Sequence, residues 1–111
     1  MTYDCKIGKK GFAFCLSNLD KFLPNANGLY SFWFRGRCIY IGKARDQTLQ
    51  VRVKQHWVKT HNEYLSLWLQ TKKSRLKVIT KTISDKHRID IEEKYYIRKF
   101  QPLTNAIMFK Y

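Results

Sequence analysis

Tyr30, Tyr40, Arg52, His56 and Glu93 are side chains whose types and spacing suit work on a phosphate ester. A guanidinium can hold phosphate oxygens through a charge-assisted fork, and a carboxylate can fix a hard divalent cation that polarises them. A phenol or an imidazole can accept a proton from attacking water. Together these roles fit phosphodiester hydrolysis. Each residue taken alone has a plainer reading. Either tyrosine can fill a core with its hydroxyl satisfied, His56 can bond to backbone, and Arg52 can extend a charged tip from a packed stem.

The elements around these residues must bring them to one place. Residues 29–34, Leu-Tyr-Ser-Phe-Trp-Phe, and 38–42, Cys-Ile-Tyr-Ile-Gly, flank Arg35-Gly36-Arg37 and predict a β-hairpin carrying both tyrosines. From about Thr48 to Trp57 the period becomes helical: Leu49, Val53 and Trp57 form a stripe, with Arg52 and His56 at its edge. Residues 62–69 predict a second short helix, with His61-Asn62 as a candidate cap, and Leu76–Thr80 a third strand. A last helix from Lys86 or Arg88 to Phe100 stops before Pro102, because a residue preceding proline is pushed out of the helical region. Its stripe of Ile89, Glu93, Ile97 and Phe100 places Glu93 on an otherwise apolar face, with Glu92 nearer the edge. A carboxylate there must be paired, hydrated or bound to a cation.

The chain has 111 residues, with 22 Lys and Arg against 8 Asp and Glu, for a formal charge of +14. That length fits one small domain and excludes a large multidomain enzyme or a doubly wound dinucleotide-binding fold. With 44% apolar and 15% aromatic residues it can fill a core, unlike a disordered basic tail. The excess charge points to a polyanionic partner, nucleic acid first, ahead of a merely solubilising surface, an anionic membrane or an acidic protein. Cys5, Cys15 and Cys38 form an odd set without metal-ligand spacing, which fits an intracellular setting, cytoplasmic or nucleoid-associated. The basic N-terminus, with Lys6, Lys9 and Lys10, precedes no apolar stretch of secretory type, and no apolar run is long enough to cross a bilayer. Leu23–Gly28 reads as a turn-rich joint between an N-terminal extension, residues 1–27, and a domain spanning 28–111.

The pattern around the candidate residues resembles the GIY-YIG nuclease family. Gly28-Leu29-Tyr30 resembles the GIY element with leucine at its centre, and Tyr40-Ile41-Gly42 matches the YIG element. Leu49–His56 is similar to the family's first helix, and Glu93 through Asn105, with Pro102 between, to its terminal Glu, Pro and Asn arrangement. The interval from Tyr40 to Arg52 is about two residues longer than in familiar members, so Gln47-Thr48 enlarges the loop and Arg45 becomes a rival phosphate ligand. The resemblance implies an α/β fold: a small three-stranded antiparallel sheet flanked by helices, GIY-YIG-like, with an N-terminal extension. It also implies hydrolysis of DNA with one divalent ion, usually magnesium, with manganese as a substitute.

By that resemblance Glu93 holds the metal, Arg52 neutralises a nonbridging oxygen with help from Lys43, and Asn105 supports the site. Tyr30 is the preferred proton acceptor, with Tyr40 supporting it. His56, which titrates nearer neutrality, is the rival base or the group that orients Tyr30. Lys54, Lys59, Lys72, Lys73, Arg75 and Lys77, with Trp57 and Trp68 near them, form either a DNA track or a solvated surface. The expected function is a metal-dependent DNA endonuclease making one single-strand incision per site, with a homodimer as one route to double-strand cleavage. The competing readings are a DNA-binding module without turnover and a basic protein-interaction domain.

Overall fold

The computed structural model describes residues 11–60 and 62–105. Cys5, Lys6, Lys9, Lys10 and His61 lie outside the described residues. Along the chain the elements run β1 (Phe12–Ala13), α1 (Leu16–Phe22), β2 (Gly28–Phe34), β3 (Arg37–Ala44), α2 (Leu49–Val58), α3 (Glu63–Lys72), β4 (Lys77–Thr82) and α4 (Lys86–Phe100). The sheet runs β1-β4-β2-β3, antiparallel throughout. The three expected strands form its body, and the two-residue β1 adds an edge beside β4.

Local chemistry sets the element ends. Arg35 and Gly36 both take positive φ, 49° and 79°, as a two-residue turn matched to strand twist requires, so the hairpin closes tightly. Thr48 caps α2 by accepting from the Val51 N–H, Asn62 caps α3 and Asp85 caps α4. Gln101 ends α4 in the left-handed region, and Pro102 follows.

The sheet is covered on both faces. Tyr30, Phe32, Ile39 and Val78 pack with Leu19, Leu49, Val53, Leu65 and Leu69 from α1, α2 and α3. Leu29, Trp33, Ile41 and Ile79 pack with Ile89, Tyr96 and Ile97 from α4. This is the period-2 alternation of a strand buried on both sides, and it explains why β2 is buried over its first six residues. A register shift between Phe32 and Trp33 absorbs the odd residue beside the turn. The joint at 23–28 also positions α2: the Ala26 and Pro24 carbonyls accept from the Leu49 and Gln50 N–H groups, while Asn27 Nδ2 donates to the Arg45 and Gln47 carbonyls. Among the described residues no helix is long and apolar enough to cross a membrane.

Candidate active site at the edge of the sheet

β3 is the outer strand, so side chains from both helical layers reach its margin. Tyr30 and Tyr40 point toward α2, their rings 6.1 Å apart, and His56 lies 5.4 Å from each. Tyr30 Oη is 2.6 Å from His56 Nε2, and His56 Nδ1 is 3.0 Å from Thr60 Oγ1, which also accepts from the Asn62 N–H. The Thr60 contact orients the imidazole, and when Nδ1 carries the proton, Nε2 accepts from Tyr30. Sequence reading missed Thr60, which stands four residues after His56 but beyond the end of α2.

The two tyrosines differ in access. Tyr30 is wholly buried, whereas Tyr40 lines an open cleft of about 1000 Å³ with Arg52, His56, Thr60, Tyr64 and Lys59. Burial pushes the Tyr30 hydroxyl well above its ordinary value, Tyr40 adds to the shift, and the Arg52 guanidinium opposes it. Burial also raises Tyr40, against its interaction with Tyr30 and the charge of Arg52, while Glu93 adds a smaller upward push. Arg52 and Glu93, from opposite faces of the sheet, thus both act on Tyr40. Arg52 itself is steadied by an Nη1 bond of 3.0 Å to Gln55 Oε1.

Tyr30 needs Gly42 opposite it. A Cβ at residue 42 would stand 2.4 Å from the Tyr30 ring and hydroxyl, so the ring can lie across the strand only over glycine. Beside Gly42, Asn105 Oδ1 accepts from the Ile41 N–H at 2.9 Å and Nδ2 donates to the Ile41 carbonyl at 3.0 Å. Thr104 closes on the Ile39 carbonyl through both its N–H and its hydroxyl. The segment after α4 therefore satisfies the open edge of β3 and holds Tyr40 between two clamped neighbours. Asn105→Ala leaves a buried donor and acceptor of Ile41 unpaired, and is expected to cost about 3 kcal/mol. Chemical denaturation of both proteins checks this, and unchanged stability would contradict the clamp.

Glu93 sits at the α4 side of the same edge, its side chain 16% exposed and 3.7 Å from the Lys43 ammonium. Burial raises its carboxyl above the ordinary value; Lys43 opposes the shift and Asp90 adds to it. Because the folded value exceeds the unfolded one, ionised Glu93 costs stability. That cost appears as pH rises from the ordinary glutamate value, about 4.3, through the raised one. In metal-free buffer at neutral pH, Glu93→Gln is therefore expected to melt higher than the wild type, with the gap closing as pH falls through that window. Thermal melts across the range check it, and a lower melting temperature for the variant would contradict it.

Of the other basic candidates, Lys43 and Arg45 both bond Asp90, at 3.0 and 3.1 Å. Lys54 pairs with Asp20 beside the cleft, and Lys59 lines it. Lys72 lies over the Phe34 ring at 5.8 Å, near the turn end of the hairpin. Lys73 donates to the Trp57 carbonyl at 2.6 Å and covers the Trp57 ring at 4.1 Å. Arg75 is exposed, as is Lys77 on β4, while Trp68 packs on Phe34. Glu92 is paired with Lys81 and Arg88. Among the described residues, no group of three or more His, Cys, Asp or Glu is placed to hold a metal ion; Glu93 is the carboxylate whose charge bears on Tyr40.

A model of the GIY-YIG catalytic domain matches residues 26–107. The GIY-YIG N-terminal endonuclease domain of UvrC from Thermotoga maritima, bound to its catalytic divalent cation, magnesium, superposes with a TM-score of 0.61. It shares 23% identity, over 82% of this chain and 99% of that one. A point mutant of the same domain with its divalent cation gives 0.60 at 24% identity, over 82% and 98%. These likenesses show a shared fold. No curated protein matches the chain.

Proposed function

The chain belongs to the GIY-YIG family, and on that premise we propose that it is a divalent-metal-dependent DNA endonuclease hydrolysing one phosphodiester per site. The observation that carries this reading is the Tyr30–His56 contact of 2.6 Å behind a cleft that Tyr40, Arg52 and His56 line together. A polyanionic substrate accords with the charge of +14. In the metal-bound relative the same fold carries magnesium.

The donor chemistry of Glu93 fits such an ion. It is a hard oxygen ligand, partly desolvated, with the Lys43 ammonium 3.7 Å away, beyond hydrogen-bond length. Magnesium characteristically takes one or two carboxylates and completes its shell with water and substrate phosphate. Glu93 would hold it there, where it supplies Lewis-acid polarisation of a phosphate oxygen.

The protein's own groups do the rest. Arg52, braced by Gln55, forks a nonbridging oxygen and offsets the charge that grows there. Tyr40 faces the cleft and takes the proton of the attacking water as its oxygen bonds to phosphorus and the bond to the leaving oxygen breaks, the leaving oxygen taking a proton from solvent water in the open cleft. Tyr40 passes its own proton inward to Tyr30, and Tyr30 to His56 Nε2, 2.6 Å away. The buried Tyr30 is thus a relay rather than the first acceptor. Lys54 and Lys59 flank the cleft as backbone contacts, whereas Lys72 and Lys73 serve packing. One site nicks one strand; cutting both needs a second nick or a second copy.

Labelled DNA and RNA, linear, nicked and branched, incubated with magnesium or chelator and resolved strand by strand, test the proposal. Magnesium-dependent DNA nicks are expected. Binding without cleavage on every substrate would overturn it in favour of a binding module.

A further inference from the structure

Asp90 lies one helical turn before Glu93 on α4, and both carboxylates face Lys43 on β3. The Lys43 ammonium is shared unequally between them. It makes a hydrogen bond of 3.0 Å to Asp90 Oδ1 and stands 3.7 Å from Glu93 Oε1, beyond hydrogen-bond length. The second oxygen of Asp90 accepts from Arg45 Nε at 3.1 Å, which fixes the carboxylate between two cations.

An ammonium and a divalent cation compete for the same carboxylate. Lys43, on a flexible stem, is close enough to Glu93 to close a full ion pair with a movement of under 1 Å, judged from its 3.7 Å separation. We propose that Asp90 is a positioning residue that holds the Lys43 ammonium off Glu93, keeping the Glu93 carboxylate open to a divalent cation. This rests on the nuclease reading above, since it presumes that Glu93 is the metal ligand. It assigns a use to a carboxylate outside the candidate catalytic set, and accounts for two acids at i and i+3 around one lysine. It also gives Arg45 a role other than phosphate ligand: bracing Asp90.

Removing the Asp90 charge sends Lys43 to its other partner, so a divalent cation must then displace a complete ion pair. Manganese binding, followed by its electron paramagnetic resonance signal on the full chain without DNA, reads this directly. Asp90→Asn is expected to weaken manganese binding about tenfold, as loss of a group supporting a metal ligand typically does. A general field effect of one lost negative charge would do something similar, so the deciding comparison is made in a Lys43→Gln background. There Asp90→Asn should change the affinity less than about twofold, because no ammonium remains to be held away. Equal weakening in both backgrounds, or none in the wild-type background with the fold intact by thermal melt, overturns the role of Asp90 alone. Manganese binding that is also unchanged by Glu93→Gln, or absent from the wild type, overturns the metal-site reading and this inference with it.

Discussion

Glu93→Gln is expected to lower magnesium-dependent DNA cleavage by about a thousandfold or more under single-turnover conditions, while DNA binding in chelator stays within about twofold. The size follows from losing the anchor of a Lewis acid worth several kcal/mol of transition-state charge stabilisation, where about 1.4 kcal/mol is a factor of ten. The substitution keeps side-chain volume and relieves a partly buried charge, so the variant should fold. A loss of cleavage with a melting temperature at or above that of the wild type therefore reports chemistry. Cleavage surviving in Glu93→Gln would place the metal elsewhere.

The second large effect is expected at Tyr40. Tyr40→Phe keeps the ring that packs on Phe32 and His56 and removes only the hydroxyl at the cleft. The cleavage step should slow on the order of 10²- to 10³-fold, the usual worth of a positioned proton acceptor. Tyr30→Phe interrupts the relay one position behind the water and should cost less, about tenfold, since a water molecule in the open cleft can take the Tyr40 proton instead. Single-turnover rates for the two variants, with binding measured separately, order the tyrosines. A larger loss in Tyr30→Phe than in Tyr40→Phe, with both folded, would show that Tyr30 takes the proton directly. The relay ends on His56 Nε2, so His56→Ala should slow the cleavage step to about the same extent as Tyr30→Phe.

Much of this arrangement could be read from residue order because its determinants are local. The helical period from about Thr48, Asn62 as a candidate cap and the stripe from Lys86 or Arg88 place α2, α3 and α4, and Pro102 announces the end of α4. The hairpin follows from two strand-forming runs around Arg35-Gly36. Glu93 stands out because a carboxylate interrupts an apolar stripe. The features that escaped are those set by tertiary pairing. β1 has two residues and no run of its own, so nothing in its sequence distinguishes it from a loop; it is a strand because β4 offers an edge.

The burial of Tyr30 relative to Tyr40 depends on which strand is central and which is outer, and period-2 alternation carries no such information. Lys73 falls within a basic run that suggests a DNA track, and its ammonium also donates to the Trp57 carbonyl and lies over that ring, sixteen residues away in the chain, a contact that residue order does not announce. Asp90 gave no signal because an acid on a helix edge is ordinary; its meaning comes from Lys43 and Arg45, which the β3 register brings opposite it.

A supercoiled plasmid reads most directly whether this edge of the sheet cuts DNA with a metal held by Glu93. Wild-type protein titrated with magnesium should convert supercoiled to nicked circles, with no conversion in chelator and none by Glu93→Gln at the same protein concentration. Nicking that persists in chelator or in the Glu93→Gln protein, or a wild type that binds the plasmid and leaves it supercoiled at every magnesium concentration, would contradict it.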